Sequence, residues 1–139
     1  MKQIFYEVII ETNGPGLYDF TEQTQDFVNK NKLFNGILNL NILHTSASLT
    51  IQENADPDVL YDIKNFFDKL VPMNNDFYKH TTEGIDDMPA HLKTMLTNTQ
   101  LTLSVKNKKP ILGTWQGLYL FEHRLENQNR TISHHLMGD

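Results

Sequence analysis

One stretch of this sequence constrains the fold more than any other, because its apolar residues follow a helical period. The stretch starts at Asp56, a residue type that often caps helix N-termini, and Pro57 suits the first helical position. A single apolar stripe on a 3.6-residue period is then formed by Val59, Leu60, Ile63, Phe66, Phe67 and Leu70. Pro72 follows the stripe. The pattern predicts a helix from Asp56 to about Leu70 with one apolar face.

The segments on both sides of this helix have the patterns of β-strands and of shorter helices. We predict strands at residues 2–11, 36–44, 48–52, 101–105, 111–124 and 130–137. We predict short helices at residues 21–32, with Thr21 as N-cap, and from about Pro89 to Leu96, after an irregular stretch at 73–86. This order favours an α+β fold, a mostly antiparallel β-sheet packed with two or three helices. We expect residues 1–139 to form a single domain.

Composition excludes several classes of protein. The chain has no cysteine, which rules out disulfides, thiolate metal sites and cysteine nucleophiles. The formal net charge of −5 argues against a nucleic-acid binder, which needs clustered basic residues. No apolar run approaches the ~18 residues that cross a bilayer, and Glu7 interrupts the run that a signal peptide would need. We therefore expect a soluble, intracellular protein with no nucleic-acid or membrane partner.

Histidine is the residue type that most suggests chemistry here. The sequence contains six histidines: His44, His80, His91, His123, His134 and His135. Imidazole is the commonest metal ligand and the usual acid–base group near neutral pH. Because cysteine is absent, any transition-metal site in this chain would use imidazole and carboxylate ligands.

Asp87 and His91 form the first candidate pair. They are four residues apart, so a helical turn would place both side chains on the same face. A carboxylate beside an imidazole can orient the ring or share a cation with it. The alternative is that Asp87 only caps the helix that starts near Pro89.

A second candidate group lies at the end of the predicted strand 111–124. Glu122, His123 and Arg124 place an acid, an imidazole and a guanidinium together where side chains from several elements can converge. The alternative is an ordinary surface trio with a Glu–Arg ion pair. A third candidate is His44, followed by Thr45 and Ser46, whose hydroxyl and backbone N–H groups could bind an oxyanion. The alternative there is a turn of small residues.

The segment Gly113–Gly117 places two glycines in a run that otherwise favours a strand. Glycine within a strand often marks the close approach of a ligand or of another backbone. Trp115 could stack on a flat heterocycle, and Gln116 could hydrogen-bond its edge. Packing of Trp115 in the core or in a subunit contact explains the segment equally well.

Taken together, these motifs resemble the YjbQ family, in order and over residues 3–138. The resemblance is carried by His44-Thr45-Ser46-Ala47, Glu53-Asn54-Ala55-Asp56-Pro57-Asp58-Val59, Asp86-Asp87-Met88-Pro89-Ala90-His91, Gly113-Thr114-Trp115-Gln116-Gly117 and Glu122-His123-Arg124. The resemblance implies a small cytoplasmic α+β homotrimer. It also implies a weak, secondary thiamine-phosphate synthase activity, which joins a pyrimidine pyrophosphate to a thiazole phosphate and releases pyrophosphate.

The resemblance further implies one clustered polar site. Its histidines would be His44, His91 and His123, which are also the implied metal ligands; its carboxylates would be Asp87 and Glu122, and its anion contact Arg124. Ser46, Trp115 and Gln116 are the candidates for ligand binding, and His80 falls where the family often has histidine. Three histidines suit Zn²⁺ better than Mg²⁺, which prefers oxygen ligands.

These expectations lead to one main hypothesis of function. It is a small-metabolite enzyme with a His/carboxylate site, assisted by a divalent metal (Zn²⁺ or Mg²⁺), that takes a phosphorylated ligand. One alternative is a non-catalytic, trimeric module that binds a metal or a metabolite. Another is a structural oligomer whose motifs serve subunit contacts. The sequence leaves open whether the chain is an enzyme.

Overall fold

A computed structural model describes residues 1–73 and 76–139, so residues 74 and 75 of the predicted irregular stretch lie outside the described part. The helices are α1 (Thr21–Lys30), α2 (Pro57–Leu70) and α3 (Asp87–Leu96). The strands are β1 (Lys2–Asn13), β2 (Gly16–Asp19), β3 (Gly36–Ile42), β4 (Ala47–Glu53), β5 (Gln100–Lys106), β6 (Lys109–Pro110), β7 (Gln116–Glu122) and β8 (Asn127–Gly138).

The strands form two sheets. The larger has the order β1-β8-β3-β5-β6 and the smaller β2-β7-β4, and every pairing is antiparallel. The longest pairing joins β1 to β8 in an unbroken register from Lys2 opposite Gly138 to Asn13 opposite Asn127. The predicted α+β class with a mostly antiparallel sheet is confirmed.

The core lies between the two sheets and is filled by alternate residues of their strands. On β3, Leu38, Leu40 and Ile42 are buried, as their alternation predicts. Leu118 and Leu120 of β7 belong to the same apolar cluster, which also receives side chains from α1. The alternate residues of β7, Tyr119 and Phe121, therefore point to the other face of the smaller sheet.

Helix α2 has the predicted bounds and cap, since the Asp56 carboxylate accepts a hydrogen bond of 2.9 Å from the Asp58 backbone N–H. Its apolar stripe is only partly covered. Phe67 packs edge-on against Phe121 at a ring-centroid distance of 5.6 Å, but Phe66 remains 60% exposed. None of the described helices combines the length and apolar character needed to span a membrane.

Several predicted boundaries differ from the observed ones, and for two of them the structure shows the cause. Thr21 is the first helical residue of α1 instead of its N-cap: its N–H donates to Asp19, and its hydroxyl accepts from the Leu118 backbone N–H at 2.8 Å. The predicted strand 111–124 is shortened to β7, because the turn at Gly113, closed by the Gln116 side chain, precedes it. In both cases a side chain forms a tertiary or turn contact that a periodic pattern cannot show.

Gly36 and Gly138 face each other where β3 meets β8. A Cβ atom on Gly36 would overlap the Met137 carbonyl group, and one on Gly138 would overlap the Asn35 carbonyl oxygen. We expect Gly36→Ala to lower the free energy of unfolding by about 1–3 kcal/mol, because the strands would have to separate. Urea denaturation measures this, with Gly113→Ala as the control, since the flexible Gln116 side chain is its nearest neighbour. Equal losses in both variants would contradict the explanation.

Candidate metal centre

The N-terminal turn of α3 and the segment before it bring three potential metal ligands together. His80, Asp87 and His91 each offer one ligand atom, and these atoms all lie within 4.8 Å of one another. One carboxylate oxygen, Oδ2 of Asp87, lies 2.5 Å from Nε2 of His80 and 3.2 Å from Nε2 of His91. Asp87 and His91 share a helix face, as their spacing predicts. Within residues 1–73 and 76–139, no other group of three or more His, Asp or Glu side chains meets this distance criterion.

A backbone contact fixes the proton on the His91 ring. Nδ1 of His91 lies 2.9 Å from the carbonyl oxygen of Thr45, which can only accept, so Nδ1 carries the proton. In the neutral ring Nε2 is then an acceptor, and it faces the carboxylate of Asp87. Two acceptors at 3.2 Å require either a second ring proton or a cation between them. Donation of the other ring N–H to a backbone carbonyl is typical of metal-binding histidines.

Asp87 is buried, with 2% of its surface exposed, yet it is held as a carboxylate. Burial acts to raise the pKa of Asp87, but the hydrogen bond with His80 and the charge of Arg124 outweigh it and lower that pKa below its ordinary value. The group therefore remains ionised at neutral pH. An ionised carboxylate is the form that binds a metal cation.

Arg124 supports this cluster through hydrogen bonds to the acidic residues around it. Its Nε donates to Asp86 at 2.8 Å, its Nη1 donates to Oδ1 of Asp87, and its Nη2 donates to the carbonyl oxygen of Glu83 at 2.9 Å. Each guanidinium nitrogen is thus engaged. The structure places Arg124 as a support for the acidic residues, in contrast to the predicted anion contact.

Glu122 lies outside the cluster, in the interior. It is fully buried and pairs with Arg130, whose Nε and Nη2 donate to its two oxygens at 2.7 and 2.5 Å. The Thr12 hydroxyl donates to the same carboxylate at 2.6 Å, as do the backbone N–H groups of His123 and Arg124. The carboxylate predicted for the site therefore satisfies buried donors instead.

His123 is also buried, with 1% exposure. Its Nε2 lies 3.0 Å from the Ser48 hydroxyl, while its Nδ1 has no hydrogen-bond partner within the described residues. Burial, with smaller contributions from the charges of Lys93 and Arg130, lowers the pKa of His123 to about 3. This ring is a neutral interior group and does not join His91 in the ligand cluster.

His44 lies next to the cluster without belonging to it. Its Nε2 accepts a hydrogen bond of 2.8 Å from the Thr131 backbone N–H, and burial and the charge of Arg130 lower its pKa. The residue after it, Thr45, holds His91. The predicted set of His44, His91 and His123 is thus replaced, as a ligand group, by His80, Asp87 and His91.

The residues predicted to bind a ligand lie elsewhere. Ser46 accepts hydrogen bonds from Arg130 through both its carbonyl group and its hydroxyl, at 3.1 and 3.0 Å. Trp115 is 64% exposed and precedes the start of β7, whereas Arg124 follows the end of that strand. Seven strand residues separate the two ends by roughly 20 Å. Gln116 closes its own turn by accepting from the Gly113 N–H. Within one chain, Trp115 and Gln116 are remote from the cluster.

His80 is the ligand that reasoning from the residues alone did not select. It comes from an irregular segment with no periodic pattern, and only the family resemblance pointed to it. A signal was present: His80, Glu83 and Asp87 place an imidazole and two acids just before a helix that carries His91.

The fold and this cluster define a class: α+β proteins with two antiparallel sheets and a His/carboxylate group at a helix N-terminus. A family model described as UPF0047 protein YjbQ-like matches residues 6–139. The chain belongs to this family. It is 44% identical over 132 residues to a UPF0047 protein of Synechocystis, with 95% of this chain and 90% of the relative covered. It is 46% identical over 104 residues to YjbQ of Escherichia coli O157:H7, with 75% of each chain covered.

Solved structures agree with this assignment. An uncharacterised conserved protein of the same family from Clostridium acetobutylicum is 34% identical, with a TM-score of 0.84 over 96% of this chain and 99% of that one. A conserved hypothetical protein from Thermus thermophilus is 28% identical, with a TM-score of 0.85 over 95% of this chain and 99% of that one. These relatives share the fold of this chain.

Proposed function

We propose that this protein is a metal-dependent enzyme that acts on a small metabolite at His80, Asp87 and His91. The observation that carries the proposal is the position of Asp87 Oδ2, which lies between two imidazole Nε2 atoms. The ring proton of His91 is held on the opposite nitrogen by Thr45. A cation at this position would remove the repulsion between Nε2 of His91 and Oδ2 of Asp87. It would also bind all three side chains, those of His80, Asp87 and His91.

The donor set favours Zn²⁺ or a similar transition metal over Mg²⁺. Two imidazoles and one carboxylate supply nitrogen and oxygen ligands, whereas Mg²⁺ prefers oxygen alone. Catalytic zinc sites have three protein ligands and an open position, and the same two-histidine, one-carboxylate set binds non-haem Fe²⁺. An open position can activate a water or polarise a carbonyl or phosphoryl oxygen. The ligands His80 and His91 are partly exposed, which leaves access for a substrate.

We expect the purified chain to bind one Zn²⁺, and Asp87→Asn to weaken that binding by at least about 100-fold, because the oxygen that faces both rings would lose its charge. Competition with a fluorescent chelator measures the affinity, and circular dichroism verifies the fold. His135→Ala is the matched control, since this histidine stacks on Phe5 on another part of the molecule. Equal Zn²⁺ affinity in the wild type and in Asp87→Asn would refute the site.

Thiamine-phosphate synthase activity stays a proposal that rests on the family resemblance. Departure of pyrophosphate requires charge neutralisation. The guanidinium groups nearest the cluster are already engaged, Arg124 by Asp86 and Asp87 and Arg130 by Glu122. This geometry supports at most a weak side activity, and it favours a substrate other than a pyrophosphate. Turnover of any metabolite that is lost in His91→Ala would favour the enzyme over a non-catalytic binding module.

We also propose that the chain assembles as a homotrimer in a cytoplasmic setting. The support is the uncovered part of the apolar stripe of α2, where Phe66 and Leu70 are 60% and 54% exposed. We expect light scattering to give a mass of about three times 16.1 kDa. Phe66→Glu should lower that mass if this face forms the contact, whereas a monomeric wild type would exclude the assembly.

A further inference from the structure

Beside the three ligands lies a fourth charged side chain, that of Glu83. Its Oε2 atom is 3.7 Å from Nε2 of His80, the atom that His80 offers to a metal. The Glu83 side chain is 64% exposed, in contrast to the buried carboxylate of Asp87. Glu83 therefore lies on the solvent side of the cluster, where a substrate would approach.

The backbone that carries Glu83 is fixed. Its carbonyl oxygen accepts the hydrogen bond of 2.9 Å from Nη2 of Arg124, so the guanidinium that supports Asp87 also holds this turn. The next residue, Gly84, has a φ of +111°, a conformation that residues with side chains rarely adopt. Its carbonyl oxygen accepts from the N–H of Asp87 at 3.4 Å. The turn thus places Glu83 between two of the ligands in the sequence and next to them in space.

Glu83 is close to the cluster without being one of its ligands. The group whose ligand atoms lie within 4.8 Å of one another contains His80, Asp87 and His91 but not Glu83. A carboxylate that lies beside both His80 and Asp87 and stays outside the ligand group has the position expected of a proton acceptor for a water at the open metal position.

We propose that Glu83 is the general base of this site, an inference that rests on the proposed metal centre. During hydrolysis of an ester, Glu83 takes the proton of the attacking water, and a metal held by His80, Asp87 and His91 would polarise the carbonyl oxygen of the substrate. The water oxygen forms a bond to the carbonyl carbon, and the C–O bond to the alcohol breaks. The departing oxygen takes the proton back from Glu83, so the side chain ends each cycle as a carboxylate.

The first test measures the charge beside the open position without a substrate. The chain is loaded with Co²⁺, and azide, an anion that occupies open metal positions, is titrated by visible absorption. We expect Glu83→Gln to bind azide about fivefold more tightly or better, because a negative charge a few ångströms away is removed. Glu22→Gln, which removes the same charge from the exposed first turn of α1, is the control and should leave azide affinity unchanged.

The second test measures proton transfer with 4-nitrophenyl acetate and the Zn²⁺-loaded chain. We expect hydrolysis to fall about 100-fold in Glu83→Gln, with Zn²⁺ affinity unchanged, and formate to restore part of the rate in Glu83→Ala. Equal rates in the wild type and Glu83→Gln would overturn the proposal, as would equal azide affinities. A loss of metal affinity in Glu83→Gln would make this residue a ligand and also overturn it. If the wild type binds neither Co²⁺ nor Zn²⁺, it is the proposed metal centre that fails.

Discussion

Replacing Glu122 with alanine is expected to lower the free energy of unfolding by about 3–5 kcal/mol. Glu122 is fully buried, and its carboxylate is the ion-pair partner of Arg130, which is 3% exposed. Removing the acid leaves a guanidinium charge without its partner in the interior. It also leaves the Thr12 hydroxyl and two backbone N–H groups without their acceptor. Urea denaturation measures the loss.

A double variant separates this structural role from a role in chemistry. Glu122→Leu combined with Arg130→Met removes both charges, and it should recover much of the stability lost in Glu122→Ala. Wherever Glu122 variants fold, their Zn²⁺ affinity should stay close to that of the wild type. A Glu122 variant that keeps full stability but loses Zn²⁺ binding would show that Glu122 has a role in the functional site.

Lowering the pH from 7 to 5 is expected to reduce the free energy of unfolding by about 4 kcal/mol. Burial lowers the pKa of His123 to about 3 and that of His134 to about 4, from 6.5. Between pH 6.5 and 5, His123 and His134 bind protons in the unfolded chain but not in the folded chain. The free energy of unfolding therefore falls as the pH falls. Each ring contributes about 2 kcal/mol over this interval. The lowered pKa of His44 adds to the loss in the same direction, whereas the lowered pKa values of Asp86 and Asp87 act only at lower pH.

Urea denaturation at pH 7 and at pH 5 measures this dependence. His134→Gln removes one of the two rings from the titration while keeping a polar side chain near the Thr24 hydroxyl, which lies 2.9 Å from Nε2 of His134. We expect the variant to show about half of the wild-type loss between the two pH values. An undiminished loss in this variant, or a wild type equally stable at both values, would show that these rings titrate normally.

The part of the fold that could be predicted from the sequence is the part encoded by local periodicity. Helix α2 was predictable because its cap, its proline and its apolar stripe lie within one segment. The alternation in β3 likewise places Leu38, Leu40 and Ile42 in the core. The division of the strands into two sheets was not predictable, since it depends on pairings between segments far apart, such as β2 with β7.

The site shows the same division between local and distant information. Asp87 and His91 could be paired from the sequence because one helical turn joins them. His80 could not, because the tertiary structure folds an irregular segment back onto that turn. Glu122 and His123 lie buried outside the ligand cluster, and burial depends on tertiary packing that the local sequence does not encode. Nothing in a short run of acid, imidazole and guanidinium tells which members face inward.

The pairing of β1 with β8 has a consequence for how the molecule acquires its structure. Its outermost partners are Lys2 and Gly138, and all the other strands of the two sheets lie between β1 and β8 in the sequence. Pairing β1 with β8 closes a very long loop, and the entropy cost of closing that loop precedes the contacts that stabilise the pair. During synthesis on the ribosome, β1 therefore has no partner strand until β8 has been made.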